Sequence, residues 1–349
     1  MRDLQDQTAP QPTGRDWVRV LSAYREPSPR RSVLELALTV VPFVALLALS
    51  CWALSISHLL AAGIAAVNGA FLVRLFLIQH DCSHNALFRS RPANEWVGRI
   101  LGVVTLTPFD VWRRSHSLHH ASVGNLDERG LGDIPTLTVG EYRQLSPLRR
   151  AIYRLYRHPL FLFGIVPAFV FVLRNRVPAG QMRAGRRYWV SAMLTNLAIA
   201  VILGIGIWLG GPAALYAIGP TILVGATIGM WLFYVQHQFE KTVWDHEPKW
   251  DLHDAALHGS SHLVLPAPLA WFTANIGAHH VHHLHARVPF YRLAEVLRDH
   301  PALDMAQRLT LWQSFRCARL HLWDEERRQL MTFRQARAVP QMAPPRMAA

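Results

Sequence analysis

Four uncharged or nearly uncharged apolar stretches dominate the chain, at residues 36–55, 59–78, 188–209 and 213–235. An apolar helix needs about 20 residues to cross the roughly 30 Å hydrocarbon core of a bilayer, and each stretch meets that length. Only Arg74 interrupts them. It lies about one turn from the end of its run, where a long side chain is expected to snorkel to the interface. The stretches pair off. Ile56-Ser57-His58 leaves room for a tight turn between the first two, and Gly210-Gly211-Pro212 does the same for the last two. The pattern therefore predicts an all-α integral membrane protein with four transmembrane helices in two hairpins. Two shorter apolar segments, 100–109 and 160–173, have the length of interfacial or re-entrant pieces.

Composition supports this reading. Hydrophobic residues make up 51% of the 349 and charged residues only 17%, below the roughly 25% of soluble domains. The net charge of +13 comes almost wholly from arginine, with Lys241 and Lys249 the only lysines. Because the arginines flank apolar runs, the expected anionic partner is a lipid surface and not a nucleic acid. Arg30, Arg31, Arg113, Arg114, Arg186 and Arg187 fall on one side of the four spans, and neither tight turn carries Lys or Arg. By the positive-inside rule both termini face the cytoplasm, in a bacterium at the inner membrane. Arg30-Arg31 before an apolar run faintly resembles a twin-arginine export signal, but no small-residue cleavage site follows. Cys51, Cys82 and Cys317 are too few and too scattered for a disulfide framework.

The expected organisation is a cytoplasmic segment at 1–31, a membrane domain at 32–335 and a disordered tail at 336–349. Cytoplasmic parts of the membrane domain fall at 80–187 and 237–335. Residues 1–16 read as a loose tail and 16–31 as a basic amphipathic approach to the membrane. Residues 309–333, with Leu311, Phe315, Leu320 and Leu322, read as a soluble helix packed on the cytoplasmic domain.

The candidate chemistry is histidine. Asn275-Ile-Gly-Ala-His-His-Val-His-His-Leu-His285 holds five in eleven residues. In a helix His279, His282 and His283 fall at i, i+3 and i+4 and share a face. His116, His119 and His120 repeat that spacing, and His80 and His84 stand at i, i+4. Eight such histidines exceed the four ligands of one zinc ion, so two metal ions fit better. Imidazole suits iron, zinc, copper and nickel alike. The second and fourth spans end alike, in Gln79-His80 and Gln236-His237, which nominates His237 as a ninth ligand. With four crossings the three boxes and His237 meet on one side, whereas a crossing by 160–173 alone would put the third box opposite the first two. Asp81, Asp127, Asp133 and Glu240 are the nearest acidic groups able to orient the rings. Cys82 reads as packing, His280 and His285 as outside the ligand set, His58 and His158 as turn and interfacial residues, and His258 and His262 as surface or loop residues. Trp112, Phe233, Trp231 and Trp271 are candidate walls for an apolar substrate.

His80-Asp-Cys-Ser-His84, His116-Ser-Leu-His-His120 and His279-His-Val-His-His283 resemble the three histidine boxes of the integral-membrane fatty acid desaturases. Tyr234-Val-Gln-His-Gln-Phe-Glu240, Gly259-Ser-Ser261 and Asn275-Ile-Gly277 extend the likeness toward the bacterial acyl-lipid branch, over roughly residues 36–333. His262 stands where a tyrosine or similar residue is expected. The resemblance implies a cytoplasmic helical domain holding a di-iron centre on His80, His84, His116, His119, His120, His237, His279, His282 and His283. It implies that dioxygen is consumed and a cis double bond enters a fatty acyl chain, with a lipid-linked chain as the expected substrate. The sequence has no iron–sulfur cysteine cluster, Gly-rich nucleotide fingerprint or His-Pro-Gly-Gly haem motif, so the two electrons come from an external donor such as ferredoxin with its reductase. A hydroxylase or ketolase of an alkane or carotenoid would share the centre. A non-enzymatic metal-binding or transport protein is the reading from another class, although transporters place ligands near the bilayer midplane.

Overall fold

A computed structural model describes residues 12–339 except Leu131. Among these, four helices are long and apolar enough to cross a membrane. They run Pro29–Ala53, His58–Ser83, Arg186–Gly210 and Ala214–His237. The two expected hairpins form. Ser57 begins the second helix by accepting a hydrogen bond from the Leu60 amide, which satisfies one of the free donors of a helix start. Gly211, at φ +67°, ends the third, in a conformation that glycine adopts without a Cβ penalty.

Every span is longer than its apolar run. The first starts seven residues before Leu36, at Pro29, after a Ser28 cap that accepts from the Arg31 amide. That extension brings Glu35 into the helix. Arg74, expected to snorkel, is instead buried at 1% exposure and bound to the equally buried Glu35. Its Nε also donates to Thr39 Oγ1 at 3.1 Å, a terminal nitrogen donates to the Trp271 carbonyl, and its guanidinium lies 3.9 Å from the Trp271 ring centre. Snorkelling is the default only when no partner faces the charge; here Glu35 does.

The first two spans and the fourth form the packed centre. Ser50 Oγ donates to the Ala61 carbonyl and Thr221 Oγ1 to the Ala65 carbonyl, both at 2.9 Å. The third span buries only Ala192 and Thr195 and so presents most of its surface outward.

The 160–173 segment is helical with two wider turns, and it meets the helix Pro147–Tyr156 at a 60° bend. Its start is tied to the fourth span by Arg157, which donates to Tyr234 Oη at 2.9 Å. Its end returns to Leu106, whose carbonyl accepts from Asn175 and Arg176. Both ends therefore lie at the box-bearing end of the bundle, as a re-entrant piece requires.

The box-bearing end is built from short elements. The segment read as an approach to the membrane forms a helix, Gly14–Leu21, with a Thr13–Asp16 capping box. Its Trp17 and Leu21 are buried, and the Trp17 ring meets His300, so it packs on the domain. Residues 1–11 of the proposed tail lie outside the described residues.

The 309–333 stretch is not one helix. It divides into a helix at Leu311–Cys317 and an antiparallel pair, Leu322–Asp324 with Gln329–Met331, turned through Arg328 at φ +51°. Leu322 pairs in parallel with Leu137, some 180 residues earlier, and that partner is invisible to a local helical pattern. Thr332 caps a further helix, Phe333–Ala338, by accepting from the Gln335 amide, so the first residues of the expected disordered tail are folded. Residues 340–349 lie outside the described set.

Removing one partner of a buried ion pair leaves an uncompensated charge at a cost of about 3–5 kcal/mol, whereas replacing both with apolar groups is far milder. Arg74→Met is therefore expected to lower the unfolding midpoint in detergent sharply, and Arg74→Met with Glu35→Leu to recover most of the loss. Equal midpoints for the single and double variants would refute the buried-pair account.

Candidate metal centre

Four elements deliver the histidines. The second span carries His80 in its last turn and ends at His84. The helix Phe109–Ser122 carries His116, His119 and His120. His237 is the last residue of the fourth span. The short helix His279–Leu284 carries His279, His282 and His283.

The two Gln-His ends work alike. Gln79 donates to the Thr107 carbonyl at 3.2 Å and accepts from Thr105 Oγ1 at 2.5 Å, which fixes the approach to the second box. Gln236 donates to the Ile276 carbonyl at 3.2 Å, fixing the approach to the third. The third box is also hooked onto the chain after Gly259-Ser-Ser261. The Leu263 amide donates to the Gly277 carbonyl at 2.8 Å, and Ser261 Oγ donates to Val235.

All nine expected histidines converge, in two groups. His80, His84, His116, His120 and His282 form one; His119, His237, His279 and His283 form the other. Ligand nitrogens within each group lie within 4.8 Å of one another. The boxes do not act as separate walls. Each three-histidine box splits, its i, i+4 pair going to one group and the remaining residue to the other, while the His80–His84 pair stays together. His116 and His120 join His282, while His279 and His283 join His119.

The contacts inside each group are too many per nitrogen to be hydrogen bonds. In the first, Nε2 atoms of His84 and His116, His116 and His120, and His120 and His282 are 2.9, 3.1 and 3.0 Å apart. In the second, His119 and His237, His237 and His279, and His279 and His283 stand at 3.1, 3.0 and 3.1 Å. A ring nitrogen has one proton or one lone pair, directed along one line. His116, His120, His237 and His279 would each need two. Ligands held about 2.1 Å from one ion at right angles lie about 3.0 Å apart, which matches the spacings. The groups therefore have the geometry to hold metal ions.

Burial pushes His84, His116, His120, His279, His282 and His283 well below the ordinary imidazole range. The rings are consequently neutral near pH 7 and keep the lone pairs that ligation needs.

Two of the four acidic candidates reach the rings. Asp133 bonds His119 Nδ1; Gly132, at φ +83°, brings it there, since a Cβ on Gly132 would sit 2.8 Å from the Ser115 carbonyl. Asp81 Oδ1 lies 3.4 Å from His80 Nδ1, and its Oδ2 accepts from the Phe290 amide at 2.7 Å, tying the first box to the chain beyond the third. Asp127 instead binds His246, and Glu240 is exposed.

The remaining expectations divide. Cys82 is buried as packing, and His280 turns away to the Leu303 carbonyl at 2.9 Å. His285 joins neither group, and His58, His158 and His258 stay near the surface. His262 is a correction: it lies buried in the strand His262–Val264, its Nδ1 donating to the Asp304 carbonyl at 2.7 Å. Trp112 stacks on His116 with ring centres 4.6 Å apart, and Phe233 meets His119 at 5.3 Å and His237 at 5.7 Å. Trp271 lies beside Arg74, and Trp231 beside Phe163 and Phe315.

Sequence reasoning missed Arg157. It is fully buried and donates to Tyr234, Gln238, Thr136 and the Pro135 and Leu320 carbonyls. Nothing in its local sequence separates it from the basic residues around it.

Such an assembly defines a class, the membrane proteins with polyhistidine groups able to hold metal at one end of a helical bundle. The family model described as "Fatty acid desaturase" matches residues 56–315. A "Fatty acid desaturase" of Bacillus subtilis is 39% identical over 326 residues, covering 93% of this chain and 92% of its own. An "sn-1 oleoyl-lipid 12-desaturase" of Picosynechococcus is 26% identical, covering 73% and 71%. An "sn-1 acyl-lipid omega-3 desaturase (ferredoxin)" of Synechocystis is 26% identical, covering 71% and 70%. The chain belongs to the fatty acid desaturase family, and it is an oxidoreductase that desaturates fatty acyl chains.

A Cβ on Gly277 would stand 2.2 Å from the Leu263 carbonyl oxygen, backbone that anchors the third box. Gly277→Ala is expected to cost about 1–3 kcal/mol by overpacking. An unfolding midpoint unchanged from the parent would disprove that anchoring.

Proposed function

We propose that the chain introduces a cis double bond into a lipid-linked acyl chain in the cytoplasmic membrane, using two irons held by the nine histidines. The reading rests on the six Nε2–Nε2 contacts of 2.9–3.1 Å, which hydrogen bonding cannot satisfy. His80, His84, His116, His120 and His282 would hold one iron, and His119, His237, His279 and His283 the other. The irons supply the dioxygen chemistry that removes hydrogen from an unactivated methylene. Overall, dioxygen takes two hydrogens from the chain together with two external electrons and two protons, giving one double bond and two waters.

The protein's own part is position and dryness. Asp133 fixes the His119 ring by its far nitrogen, and Asp81 faces that of His80. Trp112, flat on His116, and Phe233, against His119 and His237, give the centre an apolar border. A methylene has no polar handle, so the bond that reacts is chosen by the distance along an apolar passage. The arginine-rich face at the box-bearing end suits an acidic carrier such as a ferredoxin. The Synechocystis relative carries ferredoxin in its printed name. The arginine bias supports a cytoplasmic position for this face, and 32–335 is the proposed membrane domain.

Expression in a host with saturated lipids, followed by lipid analysis, is expected to reveal a new double bond that the His116→Ala variant does not make. Hydroxylated or keto product in its place would overturn desaturation, and product surviving His116→Ala would overturn the site.

Purified protein is expected to carry about two irons, given roughly four to five ligands for each ion. Oxygen uptake should need an added electron carrier. Turnover with NADPH alone would remove the external donor from the scheme.

A further inference from the structure

One small cavity lies against the second histidine group and away from the first. It measures about 40 Å³ and is walled by His119, His237, Phe233, Val123, Ile134 and Trp244. Among the described residues no histidine of the first group lines it. Its lining includes Arg129 and exposed Gly130, in the loop after the second box. The volume admits roughly two or three water-sized molecules and no acyl chain.

The walls disfavour water. A buried water needs about two to four polar partners, whereas dry apolar cavities accept xenon and similar guests. Here the polar walls other than Asp133 are already engaged. Gln238 donates to Thr136 Oγ1 at 2.8 Å and accepts from Arg157. Asn125 donates to Glu247 and accepts from the Asp127 amide. Arg129 bonds Glu141 and the Leu126 and Thr136 carbonyls. His119 directs its Nδ1 at Asp133 and its Nε2 at the other rings. Asp133, 26% exposed, gives one oxygen to His119 Nδ1 and keeps the other for solvent, while Val123, Ile134, Phe233 and Trp244 form an aliphatic and aromatic inner wall.

We infer that this cavity is the entry route for dioxygen, a small apolar molecule that reaches the His119–His237 side from the aqueous end. The acyl chain comes from the membrane by another way, so neither substrate obstructs the other. Phe233, in contact with both rings, forms the inner wall of the route.

The inference rests on the desaturase reading, so the test separates the two. Crystals of the iron-loaded enzyme under xenon pressure should show xenon among Phe233, Val123 and Ile134, whatever the activity. Ile134→Phe should exclude the xenon and raise the oxygen KM at least about fivefold, while the acyl KM moves far less. Val123→Phe, filling the opposite wall, should do the same, and Ile134→Ala should keep the xenon and leave the oxygen KM no higher. Ordered water in place of xenon, or an oxygen KM unmoved in a filled variant that still desaturates, overturns the route and leaves the enzyme reading intact. A parent protein that forms no double bond under oxygen overturns the reading itself, while xenon occupancy still reports on the cavity.

Discussion

Nine imidazoles meet in two groups, eight of them with a nitrogen about 3 Å from a neighbour's and no way to hydrogen-bond one another in full. Lone pairs brought that close repel. Buried at this depth, they also lose the water that would otherwise satisfy them. The rest of the fold holds these rings against that tendency. A scaffold able to do so must be stiff, and its stiffness comes from polar contacts in places where a membrane protein has few.

Those contacts form a frame around the centre. The Arg74–Glu35 pair joins the first two spans to the segment before the third box, through Thr39 and the Trp271 carbonyl. Asp81 reaches from the first box to the Phe290 amide, past the third. Arg157 gathers the re-entrant segment, the fourth span and the chain after Cys317. Gln79 and Gln236 fasten the neighbouring boxes. In low dielectric each such bond is stronger than it would be in water, and each is costly to leave unmade. The polar cost of the frame is thus tied directly to the precision of the site.

Much of this was legible in the chain. Apolar run length marked all four spans, because a bilayer demands that length whatever the packing. Helical spacing and the paired Gln-His ends marked all nine histidines of the two groups. The failures share one cause. Glu35 was excluded from the first span and Arg74 sent to the interface, since a charge looks misplaced until its partner across the bundle is seen. His262 looked like a surface residue because its acceptor, the Asp304 carbonyl, lies forty-two positions away. The 309–333 stretch looked helical because Leu137, the strand partner of Leu322, is remote.

The sequence by itself determined the membrane class, the hairpin pairing, the histidine inventory and the family likeness, because each follows from local length, spacing or residue type. Only the tertiary structure decided how the histidines divide. On one helix turn the i, i+4 rings face one point and the i+3 ring another, and which point a ring serves depends on helices that arrive from elsewhere in the chain. The same holds for Arg74, Arg157 and the cavity beside His237. Their roles are set by the partners that folding brings within reach, and no local pattern records those partners.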